Sequence, residues 1–297
     1  MGEITNLAID VKTTEINIRT TKNHMETVWN EKGLEVDGND SLTVMKDKFD
    51  SAEMYIVNAE PNTLRMFYCD SQLKNLYETN PNTMAIVKTA QLADTSPSGI
   101  GGGYDGTKSR LYCCDDSKDK LYELDIDSLE VINSINSGSS LPDGIGGGWD
   151  GSKLRLYYAD SYISSIYELN PDTLTKINTG GIRTAVSGIG GGWDGTKLRM
   201  YVSSLHSSDI YEINPDSLQV ITSSDVYNVT GIGGDWNNYN LKMFYTTSNP
   251  LSFVEMNANM VIVKTMTCTT QTPSGIGGFT HMGKKYIQYE GNKVYLT

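Results

Sequence analysis

The chain has 297 residues, with 24 basic against 36 acidic side chains and a net charge of -12. A field of that sign repels phosphate backbones and anionic lipid surfaces, so it argues against nucleic acid and membrane as partners, while a cationic partner or a calcium ion is compatible with it. Eighteen tyrosines and 29 glycines beside only 5 phenylalanines and 8 prolines suit many short strands with glycine at crowded backbone positions, and argue against an all-helical fold.

The opening MGEITNLAID has neither a basic segment nor a long apolar run, and no stretch approaches the ~20 apolar residues that span a bilayer. No signal peptide and no membrane anchor are expected. Gly2 invites a myristoylation reading, but Asn6 stands where that motif takes Ser or Thr. Residues 1–53 differ from the rest of the chain in composition: Gly and Tyr nearly vanish, and Thr, Lys and Asn dominate. HMETVWNEKGLEVDGNDSLTVMKDKFDS predicts two short helices, the first closed by Gly33 and the second opened by Asp40 or Ser41.

From residue 54 onward the sequence repeats. Gly-Ile-Gly-Gly begins at Gly99, Gly144, Gly188, Gly231 and Gly275, at spacings of 45, 44, 43 and 44, which is the length of a propeller blade. A divergent first copy starts at Met54, matching the others in every later feature and lacking only the glycines. Each copy predicts four strands. The first is Gly-rich and ends in Tyr104, Trp149, Trp193, Trp236 or Phe279, followed in three copies by Asp-Gly, a hairpin turn signal. The second is an alternating apolar run such as Leu154 to Ala159. The third carries Tyr-Glu (Tyr77-Glu78, Tyr122-Glu123, Tyr167-Glu168, Tyr211-Glu212) and runs into Asn-Pro turns. The fourth is a short run such as LEVIN or LQVIT. Four antiparallel strands repeated radially make a propeller, with glycine where the first strands converge on the axis. A phosphate-binding loop would need a helix after the glycines, and here they lead into a hairpin.

The last copy ends at Thr297 after three strands. The expected fold is therefore all-β: a six-bladed β-propeller of five full four-stranded blades and a truncated sixth over residues 54–297, with a small N-terminal helical or extended module over residues 1–53. Five blades with an irregular appendage is the alternative.

The DGTKLRMYV and IYEINPDSLQVI elements resemble those of YVTN- and NHL-type propellers over about 244 residues. That resemblance implies architecture and leaves function open, since such propellers host ligand binding, scaffolding and several enzyme activities. The 28-residue helical stretch near the N-terminus resembles a small module of tail and baseplate proteins of phages infecting Gram-positive bacteria. An attachment module followed by a propeller is the order expected of a tail-fibre or receptor-binding protein. The resemblance thus implies a virion component made in the bacterial cytoplasm, with residues 1–53 docked on tail or baseplate proteins.

Catalytic chemistry is sparse. His24, His206 and His281 do not lie at ligand spacing, and the motifs of serine hydrolases, kinases and P-loop proteins are missing. Cys69, Cys113, Cys114 and Cys268 form no CxxC pair; they read as reduced packing residues of a protein made in a reducing compartment. Glu78, Glu123, Glu168, Glu212 and Glu255 recur in every full copy, as groups that hydrogen-bond between blades would and a single catalytic residue would not. Asp70, Asp115 and Asp160 recur at the end of the second strand, and Asp115 to Asp119 is locally acidic, but no calcium-loop spacing matches. No catalytic residue, metal or cofactor is expected.

The turns between first and second strands, and between third and fourth, repeat closely, whereas the other two connections vary between copies. Because successive strands alternate direction, the variable loops share one face. That face presents Tyr162, His206, Asp160, Arg183, Tyr227, Asp116 and the stretch from Ser137 to Asp143, a mixture suited to a sugar or protein surface. The sequence reads as a non-enzymatic binding or structural protein that recognises a cell-surface glycan or protein, with homo-oligomerisation left open. The alternatives are a propeller enzyme acting on glycans, with carboxylates of the variable face as acid and base, and an intracellular scaffold.

Overall fold

Short alternating runs punctuated by turn residues fold as the repeat predicts, into strands joined by tight connections. In a computed structural model, the described residues are 55–58, 63–92, 95–138, 141–182, 184–204, 209–226, 228–237, 240–268, 273–281, 285–289 and 292–296. The two helices expected within residues 1–53 lie outside them.

The strands, in chain order, start with β1 (Tyr55–Asn58), followed by β2 (Thr63–Asp70), β3 (Asn75–Thr79) and β4 (Ile86–Gln91). The second copy supplies β5 (Pro97–Tyr104), β6 (Ser109–Asp115), β7 (Lys120–Leu124) and β8 (Val131–Asn136). The third supplies β9 (Pro142–Trp149), β10 (Leu154–Asp160), β11 (Ser165–Leu169) and β12 (Lys176–Gly181). The fourth supplies β13 (Val186–Trp193), β14 (Leu198–Ser204), β15 (Asp209–Ile213) and β16 (Val220–Asp225). The fifth supplies β17 (Val229–Trp236), β18 (Leu241–Ser248), β19 (Leu251–Asn257) and β20 (Ile262–Thr267). Last come β21 (Pro273–His281), β22 (Lys285–Tyr289) and β23 (Asn292–Leu296).

Four sheets follow sequence order: β5 to β8, β9 to β12, β13 to β16 and β17 to β20. The remaining four-stranded sheet has the order β21-β2-β3-β4, so its inner strand comes from the last copy and its other three from the first. This corrects the expectation of six blades: the propeller has five. The first copy lacks the glycines because Gly275 to Gly278 do their work there, pairing Gly277 with Phe67 and Gly275 with Cys69. The Tyr55–Asn58 segment, aligned in sequence with the inner strands, pairs instead with β22, in a separate three-stranded antiparallel sheet of order β1-β22-β23. Residues 61–283 form one compact unit and that sheet belongs to another.

The inner strands β5, β9, β13, β17 and β21 touch in that cyclic order, and the last touches the first. Glycine is required by the closeness of that approach. A Cβ on Gly99 would stand 2.6 Å from the Gly144 Cα, one on Gly144 2.6 Å from Gly188, one on Gly231 2.7 Å from Gly275, and one on Gly275 2.6 Å from Gly99. A second ring runs one turn of the pleat further along, from Gly101 through Gly146, Gly190 and Gly233 to Gly277 and back. The core lies as wedges between neighbouring blades: Phe67, Leu76, Leu111 and Cys113 fill one, Tyr157, Ile166, Met200 and Val202 another. Each such side chain buries fully against the next blade, which contributes about 1.5–3 kcal/mol apiece.

Candidate functional site

The two ends of the propeller are built differently. At one end lie the Asp-Gly and Asn-Pro turns, whose polar groups are spent on the fold itself. Asp150 accepts from the Ser152 and Lys153 amides at 2.8 Å each, and Asp105 and Asp194 make the equivalent bonds. Gly151 follows at φ 98°, under the ring of Trp193 from the next blade.

The same end carries a ladder of ion pairs. Arg155 on β10 holds Glu168 of its own blade through Nε at 2.7 Å and Nη2 at 2.9 Å, and its Nη1 bonds Asp216 in the turn of the next blade. Arg65 and Arg110 bridge Glu78 to Asp127 and Glu123 to Asp172 in the same way. The recurring glutamates, expected as inter-blade groups, therefore bond within their own blades. The crossing is made by the arginine, which has donors enough for both carboxylates.

The opposite end gathers the variable connections. The Leu92 amide bonds the Lys74 carbonyl, Ser137 bonds Asp119, and Ser161 bonds Leu141, each joining a loop after a second strand to a loop before an inner one. Here Tyr162 is 70% exposed, with Ile163 beside it at 49%. Asp160 is fully buried at the end of β10; its Oδ1 accepts from the Tyr162 and Ile163 amides at 3.0 and 3.2 Å and so shapes the loop that raises Tyr162. Asp116 lies in the equivalent loop of the preceding blade. Of the other expected residues, Arg183, His206 and Tyr227 lie outside the described residues.

Asp143, read from sequence only as the end of a variable stretch, completes the group. Each inner strand bulges at this point, and the bulge residue is Ser98, Asp143, Ser187, Thr230 or Ser274. Ser98, Thr230 and Ser274 donate their hydroxyls to the next blade's carbonyl at 2.6, 2.7 and 2.8 Å. Asp143 breaks that pattern. Burial, with the charges of Asp116 and Asp160 adding to it, pushes its carboxyl up to about 6 against a bond from Ser161. Asp116 is raised too, by burial and by Asp115, against a bond from Ser96. Among the described residues no Lys or Arg forms an ion pair with Asp116, Asp143 or Asp160.

The cysteines form no disulfide and are buried, and burial pushes the Cys69 thiol up to about 12, which suits packing rather than nucleophilic chemistry. Among the described residues no group of three or more His, Cys, Asp or Glu has the arrangement of a metal site.

No protein family and no curated protein matches the sequence. Solved structures that are similar include glutaminyl cyclase of Myxococcus xanthus, at 16% identity and TM-score 0.48, covering 65% of this chain and 90% of that one. A chain of the nidogen/laminin complex matches at 15% and 0.49, covering 72% and 98%. A catalytically inactive virginiamycin B lyase from Staphylococcus aureus with quinupristin matches at 13% and 0.44, covering 82% and 79%. The assignment to the β-propeller class rests on the chain's own sheet order and ring closure.

Proposed function

We propose that the protein is a non-enzymatic binding protein that meets its partner with the variable face, and that the partner presents a cationic group. The observation that carries this reading is the asymmetry of the two ends. One spends its arginines and aspartates on bonds within and between blades, while the other, among the described residues, leaves Asp116 and Asp143 without an ion-pair partner beside the exposed Tyr162. An aromatic supplies contact area at small entropy cost, and desolvated carboxylates supply orientation. In the finer reading that the N-terminal resemblance suggests, residues 1–53 attach the chain to a phage or phage-like tail and the face meets a cell-surface glycan or protein. Binding of the Asp116→Asn/Asp143→Asn variant to whole Gram-positive cells tests it. Unchanged binding by a well-folded variant overturns the role of this face, and retained assembly after deletion of residues 1–53 overturns the attachment role.

A second reading draws on the same pair. A carboxyl pushed up to about 6 next to another carboxylate is the arrangement of a general acid and its partner, so a glycan-acting enzyme is the rival. Cleavage of cell-wall or capsular glycan by the parent, abolished in Asp143→Asn, would establish it.

A further inference from the structure

The third position around the axis is glycine in three copies, Gly103, Gly148 and Gly192, and Phe279 in the closing strand. In the remaining copy it is Asp235, 4% exposed. Its Cα and Oδ1 lie where a Cβ on Gly192 would fall, each 2.7 Å away, so the carboxylate is wedged between backbones. Oδ1 accepts from the Trp236 amide at 2.8 Å and Oδ2 from the Thr280 amide at 2.8 Å, while the Trp193 amide donates as well. Those three amides belong to β17, β21 and β13. The Thr280 hydroxyl adds a bond to the Trp236 carbonyl. One side chain thus ties together the inner strands of three consecutive blades, including the strand that closes the ring.

We propose that Asp235 is a protonation-sensitive latch on the closing strand, in which the carboxyl gathers three inner strands and the fold is more stable with that carboxyl protonated than with it ionised. The physical ground is that the group is shut away from water with neutral donors about it, three amides and the Thr280 hydroxyl, so the charged form bears a desolvation cost that these bonds offset in part. Burial pushes the carboxyl up to about 6 despite the three amide bonds and the bond from the Thr280 hydroxyl.

The charged groups on the strands packed around it are otherwise engaged. Lys242, the register partner of Asp235 on β18, lies 3.3 Å from Glu255 and 3.4 Å from Asn82. His281, next after Thr280 on β21, has Nδ1 3.5 Å from the Ser109 hydroxyl. Arg199 on β14 holds Glu212, and Asp194, which follows β13, accepts from the Thr196 and Lys197 amides.

The sign follows from linkage. A carboxyl whose folded value lies above its unfolded one stabilises the fold fully below the unfolded value and loses that contribution as pH rises through the folded value. For a rise from 3.8 to about 6, the folded-to-unfolded ratio is about tenfold higher at pH 5 than at pH 7.5 from this group alone.

Denaturant unfolding of the parent, Asp235→Asn and Asp235→Gly at pH 5 and pH 7.5 tests the proposal; glycine is the residue the other copies carry. Asp116 and Asp143 titrate in all three proteins, so the difference between parent and variant isolates Asp235. The expected result is an excess of about tenfold between the two pH values in the parent that both variants lack, with earlier proteolytic release of the segment after residue 272 in the variants. Parallel pH profiles overturn the proposal. Should neither variant fold, a carbon-13 carboxyl titration of Asp235 in the parent decides: a midpoint near 6 supports the latch and one below 4 overturns it.

Discussion

Arg65 reaches across the blade boundary to Asp127 at 3.0 Å while Glu78 of its own blade holds its other nitrogens at 2.7 and 2.8 Å. The two carboxylates are unequal: the Glu78 side chain is 15% exposed and the Asp127 side chain 83%. The arginine is therefore mainly the counter-charge that lets a largely enclosed glutamate exist, and only secondarily a bolt between blades.

That inequality sets the expected effects of substitution at the equivalent Arg155. Arg155→Met strands the Glu168 carboxylate, 7% exposed, without a partner and is expected to cost about 3–5 kcal/mol. Asp216→Asn removes only the exposed end, 82% accessible, and is expected to cost less than about 1 kcal/mol. Urea unfolding of both variants checks the order; equal losses would mean that the inter-blade bond dominates.

The axis is the least tolerant part of the molecule. A Cβ on Gly190 would stand 2.6 Å from both the Gly233 Cα and the Ile232 carbonyl oxygen, all backbone, so Gly190→Val is expected to cost about 3 kcal/mol or more, measured as a lower Tm. At Gly181, on an outer strand, the nearest atom is the Ser164 oxygen at 3.4 Å. Alanine there is expected to change stability by no more than about 0.5 kcal/mol.

At the variable face the prediction reverses, because Tyr162 is 70% exposed and its loop is held by backbone amides on Asp160. Tyr162→Ala is expected to leave Tm within a degree or so and to weaken cell binding at least several-fold. Binding equal to the parent would remove this loop from the interface.

The pH profile should show two opposed limbs. Asp105, Asp150 and Asp194 lie below the usual carboxylate range, despite some burial, because turn hydroxyls and amides bond the ionised form. Their folded values lie below the unfolded one, so their contribution is present above about pH 4 and disappears as pH falls through the folded values. Asp143, pushed up to about 6, adds stability as pH falls toward 5. With Asp235 acting in the same direction, unfolding free energy is thus expected to rise between pH 7 and 5 and to fall below about 4. Asp150→Ala should shallow the acid limb, and Asp143→Asn the gain above it.

Most of the fold was legible because the repeat is: turn residues recur at fixed offsets, and the tetrapeptide marks every inner strand. The blade number was misread because sequence order suggests that each copy folds on itself, whereas β21 joins β2 from the far end of the propeller chain. The missing glycines of the first copy were the available sign. Within the site, Asp116 and Asp160 were visible as loop acids. Asp143 was visible only as the end of a variable stretch, because it matters by contrast, an acid where four other bulges hold Ser or Thr, and that emerges only when the bulge positions are aligned. Asp235 departs from its copies in the same manner.

The joining of first and last copies also sets a timetable for synthesis. Strands β2 to β4 are made before any other blade, yet the inner edge of β2 stays unpaired until β21 emerges, after every intervening blade. An unpaired edge flanked by Phe67 and Tyr68 is a site of wrong pairing while it waits. A ribosome stalled anywhere before residue 273 therefore holds a nascent chain in which the first blade made still lacks its inner strand.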